Sequence, residues 1–264
     1  MASATQHYWN RRLDPLEWKK PTASTDRAEW ALAYDTFLTP DTEDGIALLG
    51  DLDGRRVLEL GCGRGYGSVH LAERGADVVG VDVSDRRCEQ AAKDIAGLPV
   101  DRRIRFCAGR AERLPFADQT FDAVFARDVL MYARPETVAR EAWRVLVPGG
   151  KAVFIEALAG NPFVSLFRRL TTSSEYRAFT RHLSWNELAT LGNPLRLSTV
   201  RAHYLASVAA FWFLFVHRSA RLHRACLKLL GPLDRRILDR FPGASRVAWR
   251  GTALYTRPPA HDAV

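Results

Sequence analysis

VLELGCGRGYGSVHLAERGADVVGVDVS, residues 57–84, decides the reading of this chain. An apolar run ends in Glu59-Leu60, and Gly61, Gly63 and Gly65 follow at once. A helix-compatible stretch from about Tyr66 to Arg74 comes next, with Gly75 as its stop. ADVVGVDVS is then a second, near-continuous apolar strand, the pattern of a parallel strand covered on both faces. Glycines between a strand and a helix let the backbone turn sharply and approach a ligand closely. The following helix start offers unpaired N–H groups to an anion. Asp82 closes the second strand, where a carboxylate can accept both hydroxyls of a ribose.

Two other glycine-loop chemistries fail on spacing. A dinucleotide fingerprint needs GxGxxG, but the sixth position is Tyr66 counted from Gly61 and Ser68 counted from Gly63. An acidic residue two places before the first glycine, Glu59, is also foreign to it. A phosphate-binding P-loop needs GK[ST], and none follows.

Working outward, the pattern alternates through residue 158. Helix 85–97 is closed by Gly97 and Pro99, and IRFCAG and FDAVFA are the third and fourth strands. ETVAREAWRVL is a helix stopped by Pro148-Gly149-Gly150, and KAVFIEAL is the fifth strand. Such alternation predicts a doubly wound parallel sheet with its ligand along one edge. LRLSTVRAHYL and RVAWRGTALYT read as two further strands pairing antiparallel, with a helical insert at 206–244 between them. Residues 159–195 form a mixed helix-and-loop insert, in which Ser184 caps a helix three residues before Glu187. Before the core, Trp30, Tyr34, Phe37 and Leu38 are spaced for one helical face. Pro40 and DTEDG mark a break. Residues 1–45 are therefore expected as an N-terminal helical lid and 46–264 as the main domain.

Glu59-Leu60-Gly61-Cys62-Gly63-Arg64-Gly65 resembles motif I of the class I S-adenosylmethionine-dependent methyltransferases. The resemblance continues through Asp82, ERLPFADQTFDAVFA (112–126) and RVLVPGGKAVFIE (144–156), covering about residues 50–158. It implies a Rossmann-like α/β fold with a seven-stranded, mostly parallel sheet whose last strand is antiparallel. It implies S-adenosyl-L-methionine as cofactor and methyl transfer as activity. By the resemblance, Glu59 faces the methionine amino end, and Gly61, Cys62, Gly63 and Gly65 contact the methionine part. Asp82 holds the ribose, Val83 packs near the adenine, and Arg127 and Asp128 line the transfer site. The family commonly has an Asp where this chain has Arg110, and an Arg cannot accept the adenine amino hydrogens. Ala111 or Glu112 is expected to do so instead.

Candidate bases for transfer are His182, in the loop after the fifth strand, Tyr132 and Glu156. His70, inside the helix after the glycine loop, reads as packing. Tyr8 and Trp9 suit either a fold over the cofactor or an anchor for the first helix.

Composition bounds the rest. The chain has 264 residues, 47% of them hydrophobic and 26% charged, as in an ordinary globular protein. MASATQHYWNRRLD lacks the apolar run of a signal peptide. Four scattered cysteines without a CxxC pair argue against a disulfide framework or a metal site and fit a reducing cytoplasm. The net charge is +8, yet residues 201–257 alone hold eleven Lys/Arg against Asp234 and Asp239. Within that basic part, YLASVAAFWFLFV (204–216) is too short to span a bilayer, which takes about 20 residues. Arg218, Arg221, His223, Arg224 and Lys228 follow it. This stretch, 204–228, reads as a buried helix, a roof over an apolar acceptor pocket, or an interfacial membrane contact. Each of these favours a small hydrophobic acceptor, such as a polyketide or terpenoid. A membrane-associated enzyme acting on a lipid or quinone is the alternative, and a non-catalytic binding protein on the same scaffold is a third. A nucleic-acid substrate is disfavoured: ARDV stands where amino-methylating DNA enzymes carry N/D-P-P-[YFW], and the basic region alternates with large apolar residues instead of offering a stacking platform.

Overall fold

A computed structural model of the chain describes residues 4–11, 30–31, 33–34, 37–191, 194–215, 217 and 219–259. Seven strands form one sheet: β1 (Arg56–Leu60), β2 (Asp77–Asp82), β3 (Ile104–Ala108), β4 (Phe121–Arg127), β5 (Leu146–Ala157), β6 (Arg196–His203) and β7 (Arg250–Thr256). Their spatial order is β3-β2-β1-β4-β5-β7-β6. β1 to β5 run parallel, and β7 enters antiparallel between β5 and β6. The sheet is therefore the Rossmann-like arrangement expected, with the last strand in sequence reversed.

The expected hairpin partners do pair, from Arg196↔Thr256 to His203↔Arg250. Strand order reverses between β1 and β4, which opens a crevice beyond their carboxyl ends. The glycine loop leaves β1 into that crevice and Arg127-Asp128 leave β4 beside it. Alternate β1 residues serve opposite faces: Leu58 and Leu60 join one buried cluster, Val57 the other.

Among the described residues, ten α-helices described over their whole length accompany the sheet: α1 (Ala4–Asn10), α2 (Pro40–Leu49), α3 (Tyr66–Ala72), α4 (Asp85–Ile95), α5 (Pro135–Val145), α6 (Pro162–Thr171), α7 (Ser174–Phe179), α8 (Trp185–Ala189), α9 (Ala210–Phe215) and α10 (Ala220–Arg240). Two sequence expectations are corrected here. Pro40 and DTEDG do not break the chain; they open α2. Proline suits the first helical position, where its missing N–H has no partner to lose, and Asp41 and Glu43 fall in the first turn. Residue 45, the expected domain boundary, lies inside this helix. Likewise, Pro148-Gly149-Gly150 is not what stops α5. That helix ends at Val145, and β5 begins at Leu146 with the Pro-Gly-Gly turn as a bulge: the register passes from Phe121↔Leu146 to Ala123↔Lys151.

The capping box at α8 forms as expected, with Ser184 and Glu187 exchanging hydrogen bonds. Trp30 is buried, and Tyr34, Phe37 and Leu38 pack against the same core cluster. The insert between β6 and β7 is held from within. Asp234, from the middle of α10, is buried and accepts from the backbone N–H groups of Leu205 (2.9 Å) and Ala206 (2.8 Å). His223 is also buried, with Nδ1 against Ala210 O at 3.0 Å, so it takes no part in an exposed basic face. Arg218 lies outside the described residues.

Candidate active site

A single cavity of about 460 Å³ runs along the crevice, from the glycine loop to the loops around α6 and β7. Of the expected cofactor residues, Glu59, Gly61, Cys62, Gly63, Asp82, Val83, Ala111, Glu112 and Arg127 line it. Gly65 stands behind the loop as the N-cap of α3, with φ +81°, and a Cβ there would come within 2.8 Å of the Phe106 ring. Gly61 is similarly constrained, with φ +66° and Val129 2.6 Å from any added Cβ.

Asp82 sits at the end of β2 with both oxygens already fixed by the backbone. Oδ2 accepts from Gly63 N–H at 3.0 Å and Oδ1 from Ser84 N–H at 2.9 Å. A carboxylate has about four lone-pair sites, so each oxygen keeps capacity for a ribose hydroxyl. The Gly63 bond locks the glycine loop to β2. At the wall expected to meet the adenine, Arg110 is turned toward Glu112 at 3.4 Å and pairs through its backbone with Arg113 in a short antiparallel bridge. Ala111 and Glu112 both line that wall.

Glu59, expected at the methionine end, is buried and accepts a short hydrogen bond from Ser68 Oγ. Burial raises its pKa to about 8, against the opposing Ser68 bond. A buried carboxyl beside the loop is a fitting partner for an ammonium group, which would restore its charge. Gly67, which the sequence reading did not single out, makes the arrangement fit: a Cβ there would stand 2.1 Å from Glu59 Oε1. The residues present therefore fit S-adenosylmethionine in kind and position.

The first helix packs over the cavity between the glycine loop and the aromatic side chains of 132–179. Tyr8 and Trp9 are buried; Arg87 lies 3.9 Å above the Trp9 ring, and Tyr8 packs on Phe179 at 4.9 Å. His70 is packing, as expected, with its ring stacked on Tyr34 at 4.1 Å.

The opposite end of the cavity is walled by Trp9, Met131, Tyr132, Tyr176, Phe211 and Trp249, with Arg168, His182 and Arg250 among them. Of 204–216, Tyr204 and Phe211 are buried, and Phe211 packs against Trp249 at 4.3 Å. That stretch therefore roofs the cavity at Phe211, while Trp212 faces out. The three candidate bases differ sharply. His182 lines the cavity, with Nδ1 3.2 Å from Ala157 O. Burial, aided by the Arg168 charge, lowers its pKa to about 4, so the ring is neutral at pH 7. With Nδ1–H donating to Ala157, Nε2 carries the lone pair.

Tyr132 also lines the cavity. Its hydroxyl is 2.8 Å from that of Tyr176, and burial pushes its pKa well above the ordinary phenol value. Glu156 does not reach the wall. It is fully buried, and Oε1 accepts from Val129 N–H and Leu130 N–H, both at 2.8 Å, which fixes the loop after β4. Burial and the nearby Asp128 charge raise its pKa to about 8.

Asp128, expected at the transfer site, lines the cavity and has partners there that the sequence reading did not single out. Asp128, with φ +58°, points Oδ2 at Arg250 Nη2 (3.1 Å), and Arg250 Nε donates to Asp41 Oδ2 (2.5 Å). Tyr204 donates to Asp41 Oδ1 at 2.5 Å. Burial would raise both carboxyls, but the Arg250 and Arg127 charges hold Asp41 and Asp128 below the usual range. Arg168 donates to Leu158 O at 2.9 Å, and burial lowers its pKa to about 10. No local pattern announces these partners, because they come together only through strand order.

The family described as "Methyltransferase domain" matches residues 58–154. The biotin biosynthesis bifunctional protein of Cellvibrio japonicus is 31% identical over 64% of this chain and 33% of its own length. A demethylmenaquinone methyltransferase of Clavibacter sepedonicus is 38% identical over 44% of this chain and 46% of its own length. The chain thus spans less than half the length of either curated relative. Among solved structures, geranyl diphosphate C-methyltransferase from Streptomyces coelicolor superposes with a TM-score of 0.64, at 17% identity, over 96% of both chains. The likeness in fold thus runs beyond the matched segment into the N-terminal helices and the insert. Residues 58–154 thus match the methyltransferase-domain family, and the fold around them is shared with the geranyl diphosphate enzyme.

Proposed function

We propose that the protein transfers a methyl group from S-adenosylmethionine to a hydrophobic small molecule, with His182 as the base when the acceptor atom is a hydroxyl. One observation carries this reading: a continuous cavity joins the glycine loop and Asp82 to an end walled by Trp9, Phe211 and Trp249. Bound there, S-adenosylmethionine supplies an electrophilic methyl on its sulfonium. The chain's own residues then do three things. Glu59, the glycine loop and Asp82 fix the donor. The aromatic wall binds the acceptor and excludes water, so that proximity and alignment lower the barrier by up to ~7–11 kcal/mol. His182, already neutral, takes the proton of an acceptor hydroxyl at Nε2. Tyr132 and Glu156 serve as positioning residues in this scheme: the first shapes the wall with Tyr176, the second pins the loop at Val129 and Leu130.

The acceptor class is drawn from the wall chemistry. The similar proteins named above include a demethylmenaquinone methyltransferase and a geranyl diphosphate C-methyltransferase. A polyketide or terpenoid fits the same wall, and a lipid or quinone is the second reading, favoured by apolar side chains exposed close to the cavity. No helix among the described residues is long and apolar enough to cross a membrane.

The test is calorimetric titration with S-adenosylmethionine and with NAD, followed by transfer of a labelled methyl group to a panel of hydrophobic alcohols, phenols and carboxylic acids. Binding of the former alone, with label on an apolar acceptor, is the expected result. Cofactor binding with label only on polar acceptors removes the substrate class. Binding of neither nucleotide leaves a binding protein on this scaffold.

A further inference from the structure

α6 is amphipathic the wrong way round for a helix covered only by water. Its inward face carries Val164, which is buried, and Arg168, whose guanidinium lies on the cavity wall. Its outward face carries Phe163, Leu166, Phe167 and Leu170, at the i, i+3, i+4, i+7 spacing of one helical stripe. These are 77%, 57%, 39% and 76% exposed. A surface helix ordinarily turns such a stripe to the core. An apolar patch of this kind marks a face that something covers.

The surroundings say what covers it. At its first turn the helix abuts residues 246–247: Asn161 Nδ2 donates to Val247 O at 3.1 Å, and Val247 is itself exposed. Arg246 stands there. At the other end Arg169 is on the helix, and Arg177 donates from Nη1 to the carbonyls of Arg169 and Thr172. All three arginines are exposed, and none makes an ion pair with a carboxylate among the described residues. The acidic groups of α7 and α8 are already engaged: Glu175 with Arg11 and Glu187 with Arg181. The stripe is therefore flanked by cations that no carboxylate of α7 or α8 neutralises. Apolar side chains that can sink a few ångströms, ringed by arginines that stay at headgroup level, complement an anionic lipid surface.

We propose that α6, with Arg246 and Val247, docks this protein onto an anionic bilayer surface. The site is distinct from 204–228, whose Tyr204, Phe211 and His223 are buried. Docking by α6 sets the aromatic end of the cavity directly behind the lipid-facing helix, because Arg168 and Phe163 are on opposite sides of the same turn and a half. The inference goes beyond the methyltransferase reading and stands whatever the acceptor is.

Co-sedimentation of the full chain with vesicles of phosphatidylcholine alone and of phosphatidylcholine with phosphatidylglycerol tests it. The parent is expected to sediment with the anionic vesicles and to be released by raised salt. Phe163→Ser with Leu170→Ser should weaken that binding about ten-fold or more. Arg169→Glu with Arg246→Glu should abolish the preference for phosphatidylglycerol. Titration of each variant with S-adenosylmethionine, giving parent-like affinity, shows that the fold is intact. Failure of the parent to bind any vesicle overturns the proposal, as does parent-like binding by the serine pair. A parent that ignores vesicles but self-associates through this face, its serine pair monomeric, overturns it too. Loss of cofactor binding by the parent would bear on the methyltransferase reading alone.

Discussion

Arg250 and Asp41 are 209 residues apart in the chain and form a buried ion pair, with Nε donating to Oδ2 at 2.5 Å. Arg250 begins β7 and Asp41 is in the first turn of α2, so the pair ties the helix before β1 to the late strand. Through Nη2 the same guanidinium reaches Asp128 at the cavity. Removing one member of such a pair leaves an uncompensated buried charge, at a cost of about 3–5 kcal/mol. Arg250→Met strands two carboxylates and should lower unfolding stability by that order. Combining it with Asp41→Asn should recover part of the loss. Urea unfolding of both variants checks this, and equal stability of Arg250→Met and the parent would remove the pair from the account.

Asp82→Ala should weaken S-adenosylmethionine binding by about 1.5–3 kcal/mol, through loss of charge-assisted bonds to the ribose. The same change frees Gly63 N–H and so loosens the glycine loop. Titration calorimetry reads the effect, and unchanged affinity would take Asp82 out of the site.

Glu59 gives a pH signature. Its carboxyl is raised to about 8 in the unliganded protein, so near pH 7 it is mostly protonated. Pairing with an ammonium group favours the charged form, so cofactor binding should release up to about one proton and strengthen as pH rises toward 8. Calorimetry at pH 7 in two buffers of different ionisation enthalpy measures that proton. Glu59→Gln should abolish the release. The effect on stability has the opposite sense. A raised carboxyl binds more protons folded than unfolded between about 4.5 and 8, so the unliganded protein loses stability as pH rises through that window. Glu156, also raised to about 8, adds to the same slope.

The strands, the glycine loop and most of the cavity residues beside it were legible in the sequence because they follow from local rules. Glu59, Gly61 and Asp82 are placed by a strand end and by the turn after it. Asp41 was misread with DTEDG as a break, since a proline with acidic neighbours suits a loop and a first helical turn equally. Only the Thr39 N-cap, in extended conformation before Pro40, separates the two. Arg250 could not be paired with Asp128 in advance, because that contact depends on β7 inserting between β5 and β6. Arg168 was hidden for another reason: the apolar stripe of α6 suggests that its arginines face water, and one of them faces the cavity.

His182→Asn should lower kcat by ~10²–10⁴-fold for a hydroxyl acceptor while leaving cofactor affinity unchanged. Because burial and the Arg168 charge hold the ring near 4, activity in the parent should stay level through neutral pH and fall only toward that value. An acceptor whose attacking atom needs no deprotonation should show neither effect, which separates a base from a packing residue.

Gly67→Ala is the most local test of the site. The added Cβ would stand 2.1 Å from Glu59 Oε1, and real Cβ atoms do not approach so closely. Something must move, and Glu59 is held on its other oxygen by Ser68. Gly67 lies within α3, where alanine is otherwise favoured over glycine by about 1 kcal/mol. A helix-propensity effect alone would therefore stabilise the protein, whereas displacement of Glu59 should cost cofactor affinity. Measuring unfolding and S-adenosylmethionine binding on the one variant sets these against each other. Weakened binding with less than the propensity gain in stability is the expected result, and parent-like binding would mean that Glu59 does not hold the methionine end.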